Sequence, residues 1–267
     1  MKGTYVENLA IVITEKCNLD CGHCLRGKKS NKSITEDVVD AIFDQVKGTD
    51  LLSICGGEPT LALDELEYIF KTIINKRIFL RNVFVTINGT IYSERLMSLL
   101  SMIDSYIKGI DPSGKAQIGV SYDRYHIEDM KSRNLDYDER NFRSPFFGKL
   151  RILNDSHILF REGNAENLDP SLTKPLRPMK MTILDLEQKS EYLSYLVGPL
   201  VTINMEGTIT EDNTTLEKQS TIYNYGNIKT DNLVDSLLAH GAKITKNKPL
   251  YYYRSEREKR LFLTYTK

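Results

Sequence analysis

Three of the chain's four cysteines, Cys17, Cys21 and Cys24, fall within the short stretch CNLDCGHCLRG, and the fourth, Cys55, stands apart. An even cysteine count admits disulfides. The N-terminal residues MKGTYVENLAIVITEK, however, contain no apolar signal region or small-residue cleavage site, so reduced thiols in the cytoplasm are expected. Two metals then compete for the group. Zinc wants four ligands in a tetrahedron, commonly as two separated pairs, and here the fourth would be His23, squeezed between Cys21 and Cys24, or the distant Cys55. An iron-sulfur cube accepts thiolates from one short loop, because each iron takes its own sulfur. Three ligands leave one iron open, and an open coordination position is where chemistry is done.

The C-x3-C-x2-C spacing of Cys17, Cys21 and Cys24 resembles the signature loop of the radical S-adenosylmethionine (radical SAM) superfamily. A second stretch strengthens the resemblance. DLLSICGGEPTL reads as a short strand running into Gly56, Gly57, Glu58 and Pro59, similar to the family's GGEP motif. Two glycines let a backbone come close to a ligand, and Glu58 can accept a hydrogen bond from an ammonium. The plain alternative is a strand-to-helix turn with Glu58 in the first turn of the next helix.

The elements that must position these groups alternate along the chain. NLAIVIT is a strand entering the cysteine loop, and TEDVVDAIFDQV is an amphipathic helix with Thr35 as its N-cap. The helix LDELEYIFKTIINK, the strand RNVFVTING, the helix YSERLMSLLSMIDSYI and the strand AQIGVSY follow. Such alternation argues for βαβ units and a parallel sheet. The fold class expected is α/β, and the resemblance implies a partial (β/α)6 barrel with a small α+β C-terminal extension. The expected division is 1–198 for the barrel and 199–267 for the extension.

Ligands in such folds sit at the carboxyl ends of strands. That rule selects Asn88 at the end of the third strand and Ser121 and Asp123 at the end of the fourth. The resemblance implies that these contact SAM, and that His23, in a position usually aromatic in the family, borders the adenine. Tyr122, Tyr125 and His126 either face substrate or cap the next helix. A fifth strand is expected in SHILFREG, ending at Arg161, whose guanidinium could hold the SAM carboxylate or form a surface ion pair.

The C-terminal stretch GPLVTINMEGTITEDN reads as a hairpin turning at Met205-Glu206-Gly207, and YNYGNIKTDNLVDSLLAHG as a turn leading into a helix. This is similar to the SPASM/twitch extension of peptide-modifying radical SAM enzymes, without the cysteines that bind auxiliary clusters there. A generic hairpin plus helix is the alternative. The last residues, from Lys243, interleave basic side chains with Tyr251, Tyr252 and Tyr253. They read as a charged helix face more readily than as an RNA-binding surface.

Composition excludes other classes. With 267 residues, 40% of them hydrophobic, the chain can bury a full core. Lys+Arg and Asp+Glu number 36 each, so no global field draws in nucleic acid, which is not expected as a partner. No run approaches the roughly 18 apolar residues of a membrane span.

The resemblance implies one 4Fe-4S cluster, SAM chelating its open iron, and an electron donor such as a flavodoxin or ferredoxin. One electron passed to the sulfonium would release a 5′-deoxyadenosyl radical that takes hydrogen from a substrate. With three cysteines committed, Cys55 alone is too little for a sacrificial second cluster or a paired-cysteine methyl transfer. Cys55 reads as a small strand-end residue or, more sharply, as a hydrogen-atom donor. The substrate expected is a peptide, with a nucleotide or nucleoside as the alternative. A non-catalytic zinc-binding module is the reading of another class.

Overall fold

The computed structural model describes residues 3–152, 158–178, 180–186, 193–211 and 214–245. The basic, tyrosine-rich tail beyond residue 245 and His157 lie outside the described residues.

Strand β1 (Gly3–Val12) leads to the cysteine loop. Helix α1 (Glu36–Gln45) starts with Glu36 and Asp37, acids that complement the positive end of the helix dipole, and buries Val38, Val39, Ile42 and Phe43. It feeds directly into β2 (Val46–Cys55), then α2 (Leu63–Asn75), β3 (Phe79–Ile87) and α3 (Glu94–Ile110). Thr35 occupies the N-cap of α1 without a side-chain cap bond, whereas Ser93 caps α3 by accepting from Leu96 N at 3.2 Å. Next come β4 (Lys115–Ser121), α4 (Arg124–Ser132), α5 (Glu139–Arg143) and β5 (Phe147–Arg151). Short strands β6 (Leu159–Phe160) and β7 (Thr173–Lys174) pair with each other. The described chain ends with β8 (Thr182–Asp185), β9 (Leu193–Gly198), β10 (Val201–Ile203), β11 (Ile209–Thr210), α6 (Leu216–Ser220), α7 (Leu233–Ala239) and β12 (Lys243–Thr245).

The main sheet runs in the order β12-β8-β9-β1-β2-β3-β4-β5. From β1 to β5 every pairing is parallel, and β9 and β10 lie in succession along the other edge of β1, also parallel. The architecture is α/β, with strands and helices alternating along the chain and a parallel run at the centre of the sheet. One face of the parallel run carries Leu9, Ile11, Leu52, Ile54, Val83, Val85, Ile118 and Val120, packed with Ile42, Phe43, Leu66, Ile69, Phe70, Leu100 and Ile103 of α1–α3. Each such side chain, fully buried, stabilises the fold by roughly 1.5–3 kcal/mol.

Side chains alternate along strands, so the opposite face carries a different set. The register Thr86↔Gly119↔Lys149 and Ser121↔Arg151 places these residues in rows across that concave face. Gly119 is required there: a Cβ would fall 2.2 Å from the Phe84 ring, which fills the space above it. The expectation for the fifth strand was misplaced. The strand beside β4 is Phe147–Arg151, while Leu159–Phe160 pairs with Thr173–Lys174 outside the main sheet. The apolar run around Ile158–Phe160 carried the strand signal, and the pairing partner was not readable from it.

The expected hairpin forms: β10 and β11 pair antiparallel around a turn at Met205 and Glu206, with Gly207 at φ +86°. Asn227 bridges to Thr208, and α7 follows with Asn232 as its N-cap. The main sheet runs through residue 198, since β9 before it and β10 after it both pair with β1.

Candidate functional site

The loop after β1 has little regular structure and is held by short turns. Cys24 N donates to Cys21 O at 3.0 Å, Gly27 N donates to Cys24 O at 3.2 Å, and Leu19 N approaches Cys17 Sγ at 3.5 Å. Leu19, Cys21 and Met130 form a small apolar cluster against which Cys17, Cys24, Tyr125 and Tyr137 pack. All three thiols line one cavity of about 650 Å³, together with His23, Cys55, Gly56, Gly57, Asn88, Ser121, Asp123 and His126.

Burial sets the chemistry of those thiols. It pushes Cys17 up to about 11, with the Glu58 charge adding to the rise and the Leu19 amide opposing it, and it pushes Cys21 higher still. Neither is an activated nucleophile, since burial disfavours the free thiolate at both.

Gly56 and Gly57 sit where two chain segments touch. Gly57 N donates to Thr14 O and Glu58 N to Lys16 O, both at 2.7 Å. A Cβ on Gly56 would lie 2.4 Å from Thr14 O, and one on Gly57 2.2 Å from Lys16 O. The close approach these glycines permit is therefore to the backbone leading into Cys17, in the wall of the cavity. Glu58 is 1% exposed and does not line the cavity. Its Oε1 accepts from Thr60 N at 3.1 Å and Thr60 Oγ1 at 2.7 Å, and its Oε2 accepts from Asn88 N at 2.7 Å. Burial raises its carboxyl above the usual range despite these bonds. Glu58 thus ties the end of β2 to the end of β3. Asn88 continues the chain of bonds, donating from Nδ2 to Asn18 Oδ1 at 2.8 Å in the cysteine loop.

At the end of β4, Asp123 caps α4: Oδ1 accepts from Tyr125 N at 3.0 Å and His126 N at 3.2 Å, and Oδ2 meets His126 Nδ1 at 2.7 Å. Burial alone would raise this carboxyl, but the bonds and charge of His126 bring it below the ordinary value. His23 stacks on Tyr125 with ring centroids 4.6 Å apart and meets the edge of His126 at 4.9 Å. Burial lowers His23 to about 4, so its ring is neutral. Its Nδ1 is buried without a partner among the described residues, an unmet polar atom in the wall of the cavity. Ser121 lines the cavity, and its carbonyl accepts from Tyr137 Oη at 2.9 Å.

Arg161 is not brought to this site. Its Nε donates to Thr173 Oγ1 at 2.9 Å and a terminal nitrogen to Pro170 O at 3.3 Å, which holds it on the β6–β7 pair. The arginines that do line the cavity are Arg26 and Arg151. Cys55 also lines it, 3.8 Å from a terminal nitrogen of Arg26.

Sequence reasoning missed a support beneath the cysteine loop. Asn164 N donates to Cys24 O at 2.8 Å, and Asn164 Nδ2 donates to Cys21 O at 3.0 Å. The adjoining Glu162, 5% exposed, accepts from Thr214 Oγ1 at 2.6 Å and Lys218 Nζ at 2.9 Å. Lys218 also reaches Glu166 at 2.8 Å. The Gly163-Asn164 pair is a turn signal, and nothing in its local pattern says what the turn touches.

These residues fit an iron-sulfur cluster with SAM: three thiols from one loop that line one cavity, and His23, with a buried nitrogen that has no partner among the described residues, in the wall of that cavity. A ligand atom from each of Cys21, His23 and His126 also lies within 4.8 Å of the others, a competing set for a single zinc ion.

Residues 11–122 match the family model described as the radical SAM superfamily. A curated relative, the probable GTP 3′,8-cyclase of Methanocella arvoryzae, is 25% identical over 194 residues, 71% of this chain. The chain spans about half, 51%, of that relative's length. Among solved structures, anSMEcpe with bound AdoMet and Cp18Cys peptide aligns at 15% identity and TM-score 0.48, covering 88% of this chain and 80% of that one. Streptococcus suis SuiB bound to S-adenosylmethionine aligns at 14% identity and TM-score 0.43, covering 92% and 67%. No helix among the described residues is long and apolar enough to cross a membrane.

Proposed function

We propose, from the match of residues 11–122 to the radical SAM superfamily model, that the protein is a radical SAM enzyme that takes a hydrogen atom from an organic substrate. The observation that carries this reading is the shared cavity: the thiols of Cys17, Cys21 and Cys24 face the space bordered by Gly56, Gly57, Asn88 and Ser121. Cys17, Cys21 and Cys24 would hold three irons of one 4Fe-4S cluster. When bound, the cluster and SAM supply one-electron cleavage of a sulfur–carbon bond to give a 5′-deoxyadenosyl radical.

The chain's own residues do the rest. Gly56 and Gly57 let the end of β2 pack directly on the backbone of Thr14–Lys16 that leads into Cys17, which sets the cavity wall beside the cysteine loop. Neutral His23 would offer Nδ1 to a polar edge of the ligand, while Tyr125 and His126 fix its ring. Asp123 holds His126 in turn, and Asn88 keeps the β3 end joined to the loop. The half-buried wall of Leu25, Leu159 and Phe160 excludes water from the reaction space.

The substrate reading that follows from the hairpin and helix of 199–240 is a peptide. A nucleotide is favoured by a specific observation, the cationic lining contributed by Arg26, Lys28, Lys29, Lys149 and Arg151, and by the name of the Methanocella relative. The electron donor would be a flavodoxin or ferredoxin.

Reconstituting the protein with iron and sulfide under anaerobic conditions tests the assignment. A brown sample whose reduced-cluster paramagnetic resonance signal changes on adding SAM is expected. A colourless protein holding stoichiometric zinc, or a cluster whose signal ignores SAM, would overturn it.

A further inference from the structure

The concave face of the sheet carries cations that the proposed chemistry does not use. Lys149 and Arg151 are two residues apart on β5, so they share a face, and their register partners are Gly119 and Ser121 on β4. That face holds Phe84 and Thr86 on β3, because Lys149 Nζ lies 5.1 Å from the Phe84 ring centroid and Arg151 donates to Thr86 Oγ1 at 3.0 Å. Both side chains therefore lean over the inside of the partial barrel, in the cavity that also contains the cysteines. Lys28, from the cysteine loop, lines the same cavity.

Their charges are not met by carboxylates. The acidic residues in that lining are Glu15 and Asp123. Glu15 accepts from Ser30 Oγ at 2.6 Å and Asp123 is committed to His126 and the α4 N-terminus. Lys29 is paired with Asp20 at 3.3 Å, whereas Lys28, Lys149 and Arg151 have no carboxylate partner among the described residues. A net positive lumen is costly unless a ligand completes it, since like charges in a cleft reinforce one another.

We propose that Lys149 and Arg151, with Lys28, form the anchoring site for the phosphate groups of a nucleotide substrate, held so that its sugar or base reaches the centre of the cavity. The inference rests on the radical SAM reading and names the substrate class for it. An arginine fork beside a lysine point charge suits a group with several oxygens and more than one negative charge. Ile158, Leu159 and Phe160 line the same cavity and offer apolar surface for the rest of the nucleotide.

Binding of ATP, GTP, inorganic triphosphate and a glutamate-rich tetrapeptide to the reconstituted protein, measured by calorimetry, tests this. Nucleotide binding is expected to weaken about tenfold or more in Lys149→Met and in Arg151→Met, as for loss of a charge-assisted hydrogen bond. Arg151→Lys is expected to retain part of the affinity, and the wild-type affinity is expected to fall with salt. Triphosphate competing with both nucleotides would place the contact on the phosphates. Equal nucleotide affinity in wild type and a Lys149→Met/Arg151→Met double variant with wild-type melting temperature would overturn the proposal. So would tighter binding of the acidic peptide than of either nucleotide. The visible absorption of the cluster, recorded on the same samples, reports separately on the radical SAM assignment.

Discussion

The cysteine loop and the segment carrying α6 lie against the same turn, Glu162–Asn164, and contribute opposite things to it. The loop brings thiols in an apolar setting: Cys21 is 6% exposed beside Leu19 and Met130. The α6 segment brings hydroxyl, ammonium and backbone packing. Thr214 and Lys218 bind Glu162, and Thr215 touches the space beside Gly27. Gly27, at φ +66°, packs on Gly163, so a side chain at either position would push the two regions apart. A region without cysteines can thus support the cysteine loop, through the Glu162–Asn164 turn whose Asn164 holds the carbonyls of Cys21 and Cys24.

The difference breaks most sharply at the thiols. Changing Cys17, Cys21 or Cys24 to Ala is expected to abolish the cluster's visible absorbance, because each removes one of three protein ligands. Changing Cys55 to Ala is expected to leave it. Iron and sulfide analysis of the wild type is expected to give about four of each per chain, the content of one cube. About eight irons in two distinguishable clusters would show a metal site in the extension.

A smaller effect in the same loop depends on pH. His23 falls from 6.5 to about 4 on folding because it is buried, so the unfolded chain binds more protons between those values. The stability this lends is present above about pH 6.5 and is lost as pH falls towards 4. The full loss is at most about 3 kcal/mol at 1.36 kcal/mol per pKa unit. Denaturant midpoints at pH 6.5 and 4.5 are expected to fall less in His23→Phe than in wild type. Parallel curves for the two proteins would contradict the burial of a neutral ring.

On the side of the extension, Lys218→Met leaves the buried Glu162 with one hydrogen bond fewer and no cation. A loss of about 2 kcal/mol is expected, as for a hydrogen bond to a charged group, with faster release of iron to a chelator. Asn164→Ala removes the side-chain bond to Cys21 O and the longer one to Asp20 Oδ1 at 3.4 Å, while the backbone bond to Cys24 O remains. About 1 kcal/mol and a small increase in chelator extraction are expected. Unchanged extraction in both variants would show that the α6 segment does not support the loop.

Much of this was legible in the sequence. The strands and helices from β1 to α3 announced themselves through apolar periodicity, and the cysteine loop through ligand type and spacing. The hairpin at Met205–Gly207 was signalled by its turn residues. What could not be read was contact between distant segments. Asn164 and Cys21 are 143 positions apart, and neither residue type names the other. Lys149 and Arg151 were hidden because β5, which carries them, has polar and apolar residues but little burial to mark it. Arg161 was placed at the site because it follows an apolar run, yet that run pairs with Thr173–Lys174.

The central claim is that Cys17, Cys21 and Cys24 leave an iron open for SAM beside Gly56 and Gly57. Chromatography of a reconstituted sample reduced with dithionite in the presence of SAM tests it most directly. The account expects 5′-deoxyadenosine and methionine to appear together, and to be lost in Cys21→Ala. A fully loaded wild-type cluster that yields no 5′-deoxyadenosine, with or without nucleotide or peptide, would contradict it.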